Sequence, residues 1–174
     1  HDAANTGYDY VYNCTFAENG ATAVERKQNA LASGFFRNCV FDRNGRHYWK
    51  AGSSNSDTFQ NCCFGAATSN LMLHVAIKKT GVTDRKVSFN EKFMCAEPLL
   101  DAEYRPTAES PFLGMGTNLV EAAVAPFGSD VEGTLWNGVW DYGCYKSATA
   151  PLPKRAELYV SVDGDDANDG TAPE

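Results

Sequence analysis

Phe35-Phe36-Arg37-Asn38-Cys39-Val40-Phe41-Asp42-Arg43-Asn44-Gly45 has a near-copy on either side. Upstream stands Val11-Tyr12-Asn13-Cys14-Thr15-Phe16-Ala17-Glu18-Asn19-Gly20, and downstream Phe59-Gln60-Asn61-Cys62-Cys63-Phe64. All three carry apolar-x-Asn-Cys-x-Phe, offset by 25 and then 23 residues. Self-similarity at such a period marks a solenoid, in which one short unit cannot bury its own apolar face and stacks on copies of itself.

The two-residue period of a strand turns Val11, Phe36 and Phe59 inward and Tyr12, Arg37 and Gln60 outward. After a bend at Asn13, Asn38 and Asn61, the pairs Cys14/Phe16, Cys39/Phe41 and Cys62/Phe64 turn inward again. Asn suits the bend because it tolerates the left-handed conformation, and stacked amides hydrogen-bond from unit to unit. Each unit is long enough for three short strands, so the expected fold is all-β: a parallel β-helix whose neighbouring coils lie about 4.8 Å apart. Asn13, Asn38, Asn61, Cys14, Cys39, Cys62, Phe16, Phe41 and Phe64 form its structural ladder.

Composition narrows the function. With 174 residues, 43% hydrophobic and 12% aromatic, the chain is globular. The formal net charge is −7, and Glu157, Asp163, Asp165, Asp166, Asp169 and Glu174 supply most of it. No basic stripe is present, which argues against nucleic acid. No run of apolar residues is long enough to span a membrane. The six cysteines include three at one inward station. Stacked Cβ atoms at the coil spacing sit wider than a disulfide prefers, so Cys14, Cys39 and Cys62 read as reduced. Cys63 should face out, and it, Cys95 and Cys144 pair or stay free. No Cys or His set has zinc spacing.

Past the third unit the pattern loosens. Asn90 and Phe93 repeat the Asn-x-x-Phe spacing, but Val87 and Phe89 fall out of phase. The run from Ala96 to Tyr145 is dense in Pro and Gly and reads as extended segments and turns. Glu97-Pro98-Leu99-Leu100, Tyr104-Arg105, Ser110-Pro111 to Gly116 and Asp141-Tyr142-Gly143-Cys144-Tyr145, following the Asn-Cys-x-Phe units, resemble the ending of secreted bacterial proteins in the pectate-lyase-like superfamily. Leu113-Gly114-Met115 and Cys144 depart from that family's usual residues. The resemblance implies a right-handed β-helix with an irregular C-terminal cap over residues 1–145, a linker over 146–156, and the first strand of a following or neighbouring unit over 157–174. It also implies an extracellular or cell-surface protein joined end to end to further domains or copies of itself.

Candidate chemistry is sparse. Asp163, Asp165, Asp166, Asn168 and Asp169 offer oxygen ligands of the kind Ca²⁺ accepts, although their spacing fits an EF-hand loop poorly. Alternation sets Arg46, Tyr48 and Lys50 on one side of a strand and His47 and Trp49 on the other. Outward, the first set is a basic strip with a ring, suited to a polysaccharide. No paired carboxylates face it, and Asp42 has Ala17 and Gly65 in the neighbouring units, so no catalytic residue is assigned. The reading is a structural or adhesive module; the alternative is a fragment of a polysaccharide lyase, a glycoside hydrolase or a glycan-binding protein.

Overall fold

The computed structural model describes residues 8–26, 33–51, 56–67, 73–76, 87–120 and 127–148. Among them all regular structure is β. The first repeat supplies β1 (Tyr8–Tyr12), β2 (Thr15–Ala17) and β3 (Thr22–Arg26). The second supplies β4 (Ser33–Arg37), β5 (Val40–Asp42) and β6 (Arg46–Ala51), and the third β7 (Asp57–Gln60), β8 (Cys63–Phe64) and β9 (Leu73–Ala76). A fourth adds β10 (Val87–Phe89) and β11 (Met94–Cys95). Each strand pairs in parallel with its counterpart one repeat away, giving sheets ordered β1-β4-β7-β10, β2-β5-β8-β11 and β3-β6-β9.

The register stacks like on like. Val11 lies beside Phe36 and Phe36 beside Phe59, while Phe16 lies beside Phe41 and Phe41 beside Phe64. Phe36 and Phe59 stack at 4.5 Å and Phe16 and Phe41 at 4.8 Å, and the two columns meet edge to face. Offset and edge-on contacts are the favourable arrangements for rings, so one core buries a large aromatic area without clash.

Asn13, Asn38 and Asn61 take left-handed φ values of 45°, 52° and 52°. That conformation turns the chain sharply while the backbone ladder runs on across the corner: Asn13 donates to Arg37 O at 2.9 Å, and Val40 to Cys14 O at 2.9 Å. Asn38 Nδ2 donates to Asn13 Oδ1 at 3.0 Å, and Asn90 Nδ2 to Asn61 Oδ1 at 2.7 Å. Just inside the bend, Cys14, Cys39 and Cys62 each donate Sγ–H to the carbonyl two residues back. All six cysteines are free thiols. Burial pushes the Cys39 thiol well up, and the Cys39 contact does the same for Cys14.

The fourth repeat resolves the loss of phase. Phe89 pairs with Phe59, and Met94 with Cys63. The strand before the bend is therefore one residue shorter than in the third repeat, and the turn after Asn90 two longer. Phe93 sits against Phe64 and Phe89 at the station that Cys62 fills one repeat earlier.

The C-terminal segment lies along the side of the stack. Phe112 and Tyr142, stacked at 5.5 Å, cover Val40 and Cys63 on the outer face of β5 and β8. Cys63 thus leaves the interior of the repeats, yet it is buried, and burial pushes its thiol up to about 12. The Asn column is the seam: Asn38 exchanges two hydrogen bonds of 2.8 Å with the Thr117 backbone. Asn61 Nδ2 donates to Met115 O at 2.7 Å, and Asn13 Nδ2 to Gly143 O at 3.1 Å. Only glycine fits at 143, where φ is +91° and a Cβ would come 2.7 Å from Thr15 Oγ1.

This segment is itself a duplication. Asp101 N donates to Arg105 O, Tyr104 N to Asp101 O and Thr107 N to Leu99 O; 29 residues on, Asp130, Gly133 and Trp136 repeat the pattern with Thr134, Asp130 and Gly128. In each copy the Asp Oδ1 accepts from the backbone N–H groups two and four residues ahead, an Asx turn. Arg105 ties the copies together through Glu132 and lies 4.4 Å over the Tyr145 ring.

Candidate functional site

The strip expected from Arg46, Tyr48 and Lys50 does not form. Tyr48 and Lys50 are fully buried, while Arg46 and Trp49 stay partly open. Alternation fails because His47 and Tyr48 both turn in. Asn44 Nδ2 donates to His47 Nδ1 at 3.0 Å, which leaves the His47 proton on Nε2 to meet Gly65 O at 3.0 Å. Burial holds the imidazole below its ordinary range, so it is neutral. The aspartates Asp163, Asp165, Asp166 and Asp169, with Asn168, lie outside the described residues, as do residues 149–156 of the linker and the segment 157–174.

Tyr48 and Lys50 turn in toward Asp57, which is fully buried. Asp57 Oδ2 accepts from Lys50 Nζ at 2.8 Å and from Tyr48 OH, and Oδ1 accepts from Gly34 N with Arg26 Nη2 at 3.6 Å. Arg26 also pairs with Asp9. Burial, then the hydrogen bond to Asp57, drives the Tyr48 phenol up, so it remains a donor. The Asp57 carboxylate is fully buried and engaged by three donors, which puts it out of reach of a substrate. The cluster ties the ends of β3 and β6 to the starts of β4 and β7, where buried charges require such pairing.

A second cluster brings together what spacing kept apart. Arg43 Nε binds Asp42 Oδ2 at 2.9 Å, its Nη2 binds Glu18 at 3.1 Å, and Tyr104 OH donates to Glu18 at 2.9 Å. Two carboxylates beside one arginine invite an acid–base reading, and burial does raise the Asp42 carboxyl. Access decides against it. Asp42 is 2% exposed, and Oδ1, without a hydrogen-bond partner among the described residues, faces Gly65 so closely that a Cβ there would sit 2.4 Å away.

The open chemistry lies on the outer face of the first sheet. β1 turns Tyr8, Tyr10 and Tyr12 outward, β4 adds Ser33, Phe35 and Arg37, and β7 adds Thr58 and Gln60. Tyr8 is 56% exposed and Tyr10 36%. Tyr10 stacks on Phe35 at 5.6 Å, Tyr8 meets Phe35 edge-on at 5.2 Å, and Tyr12 stacks on Phe127 of the C-terminal segment at 6.5 Å. Arg37 lies 5.7 Å over Tyr12 and donates Nε–H to Gln60 Oε1 at 2.8 Å. The signal was present in the chain as three tyrosines at every second residue opposite inward Val11.

Beside these sites, no described group of three or more His, Cys, Asp or Glu is placed to hold a metal, and no described helix is long and apolar enough to cross a membrane. Set against protein-family models, curated proteins and solved structures, the chain finds no match in any of the three.

Proposed function

We propose that this chain is a segment of a right-handed parallel β-helix that serves as an extracellular structural or adhesive module, joined end to end with further units or with copies of itself. The hand follows the strong general preference of parallel crossover connections. One observation carries the joining: among the described strands, β1, β2 and β3 at one end and β9, β10 and β11 at the other have one edge each without a described strand partner. Core residues lie open there. Val11, Cys14 and Phe16 are half-buried at the first end, and Phe89 is 41% exposed at the other. Parallel edges with open aromatic columns are templates for another strand, and proteins cover them.

The buried cluster around Asp57 favours this reading over catalysis, because its carboxylate is engaged by Lys50, Tyr48 and the Gly34 N–H. Sedimentation velocity tests it. The chain is expected to form concentration-dependent head-to-tail oligomers, and Phe89→Lys is expected to abolish them with the far-UV spectrum unchanged. A monomer at the highest soluble concentration, or oligomers indifferent to Phe89→Lys, would sink the proposal.

A further inference from the structure

We infer that Asn137-Gly138 is a site of spontaneous covalent modification, at which the side-chain amide is lost as ammonia and the residue becomes aspartate or isoaspartate. An asparagine followed by glycine is the pair most open to this reaction, because no Cβ on the second residue hinders its nitrogen from reaching the side-chain carbonyl carbon. The chain has three such pairs, Asn19-Gly20, Asn44-Gly45 and Asn137-Gly138. Two are locked. Asn44 is fully buried, its Nδ2 donates to Phe16 O at 2.9 Å and to His47 Nδ1 at 3.0 Å, and Gly45 N already donates to Asn19 O at 2.7 Å. Asn19 holds its amide on Asn44 Oδ1 at 2.8 Å and on Ala17 O at 3.3 Å.

The third pair differs on each count. Asn137 and Gly138 are both exposed, with φ of 47° and 82°, and Val139 N donates to Trp136 O at 3.0 Å across them. Two left-handed residues under such a bond make a tight type I′ turn. Among the described residues no hydrogen bond engages the Asn137 amide or the Gly138 N–H, and where a Cβ on Gly138 would stand nothing lies within 4 Å. An exposed turn spanned by one hydrogen bond opens at small cost. In the opened turn Gly138 N, having lost its proton to solvent base, attacks Asn137 Cγ. The new N–C bond closes a cyclic imide, Nδ2 leaves as ammonia, and water opens the ring at either carbonyl; nothing is oxidised or reduced. Opening at the backbone carbonyl gives isoaspartate, which lengthens the main chain by one carbon. The turn's register cannot absorb it, so the strain falls on the flanking Trp136 and Trp140, which are buried and stacked at 5.0 Å.

Peptide mapping of the whole chain, aged in mildly alkaline buffer with and without guanidinium, tests this, with electron-transfer fragmentation to tell isoaspartate from aspartate. In the unfolded sample all three pairs are expected to convert at similar rates. In the folded sample Asn137 should convert about tenfold or more ahead of Asn19 and Asn44, the scale of the hydrogen bonds that must break first at those two. The near-UV tryptophan signal should fall in step with isoaspartate, and Asn137→Gln should stop that fall. An Asn137 that stays intact in the folded sample while the unfolded one converts, an Asn19 or Asn44 that converts as fast as Asn137, or a near-UV signal indifferent to conversion would overturn the inference. The reaction uses no strand edge, so its outcome is independent of end-to-end joining.

Discussion

The strand repeats and the C-terminal segment solve the same problem with opposite means. In the repeats, each strand pairs with the equivalent strand of the neighbouring unit, and the side chains have only to stack. Among the described residues 96–120 and 127–148 there is no long ladder, and single side chains stand in for it. Asp101 and Asp130 each accept from two backbone N–H groups through Oδ1, and Asp130 Oδ2 takes a third from Lys146. Asp141 joins Gly114 N to Ser147 N. The repeats thus spread their stability over many equivalent contacts, while the C-terminal segment concentrates it in a few irreplaceable carboxylates. A change in the first region should be felt throughout, and a change in the second should stay local.

The largest expected effect tests the first half of that contrast. Phe59 is fully buried among Phe36, Phe41, Phe64, Tyr48 and Phe89. Phe59→Ala should cost about 3–5 kcal/mol, the range for deleting a core aromatic ring. Urea titration should show one cooperative transition moved to lower concentration by far-UV and near-UV signals alike.

Asp130→Ala probes the other half. It removes three part-buried hydrogen bonds to a carboxylate around one turn and should cost about 1.5–3 kcal/mol, the range for hydrogen bonds to a charged group. Trp136 and Trp140, stacked at 5.0 Å beside that turn, should lose their near-UV signal before the strands lose their far-UV signal. Coincident transitions would show that the two regions do not differ in the way described.

The smallest effect is a pH dependence confined to the repeats. His47 has a folded pKa below its ordinary value because it is buried. Below the unfolded pKa the unfolded chain binds a proton that the folded chain refuses, so stability is full above that pH and declines as pH falls toward the folded pKa. Protonating Nδ1 would also break the bond from Asn44. The urea midpoint of the native chain should therefore drop between neutral and mildly acidic pH, and His47→Gln should flatten the slope over that window. An unchanged slope would place the titration elsewhere.

These regions also differ in how plainly the chain announces them. Asn-Cys-x-Phe is readable because each residue type has one physical task that recurs: a left-handed bend, a small inward thiol, a stacked ring. The face of β6 was not readable from alternation. Lys50 and Tyr48 point in because of Asp57, a partner beyond the strand, and His47 turns in because of Asn44 and Gly65. The outward position of Cys63 follows from the strand period, but its burial depends on Phe112 and Tyr142, far along the chain. The C-terminal duplication escapes notice because its two copies share little beyond Asp-x-Glu. What they share is backbone hydrogen bonding, which many sequences satisfy. The phase of the fourth repeat was lost because residues were removed before Asn90 and added after it.

The seam between column and side segment limits how this molecule can grow. Asn13, Asn38 and Asn61 each give an amide hydrogen sideways to a fixed carbonyl at Gly143, Thr117 and Met115. An extra unit inserted between any two of them would push the later rungs about 4.8 Å out of line with their acceptors. Lengthening by whole units is therefore tolerated only beyond the first or last of these three asparagines, so the segment held against them acts as a gauge that fixes the middle of the rod and leaves its ends free to vary.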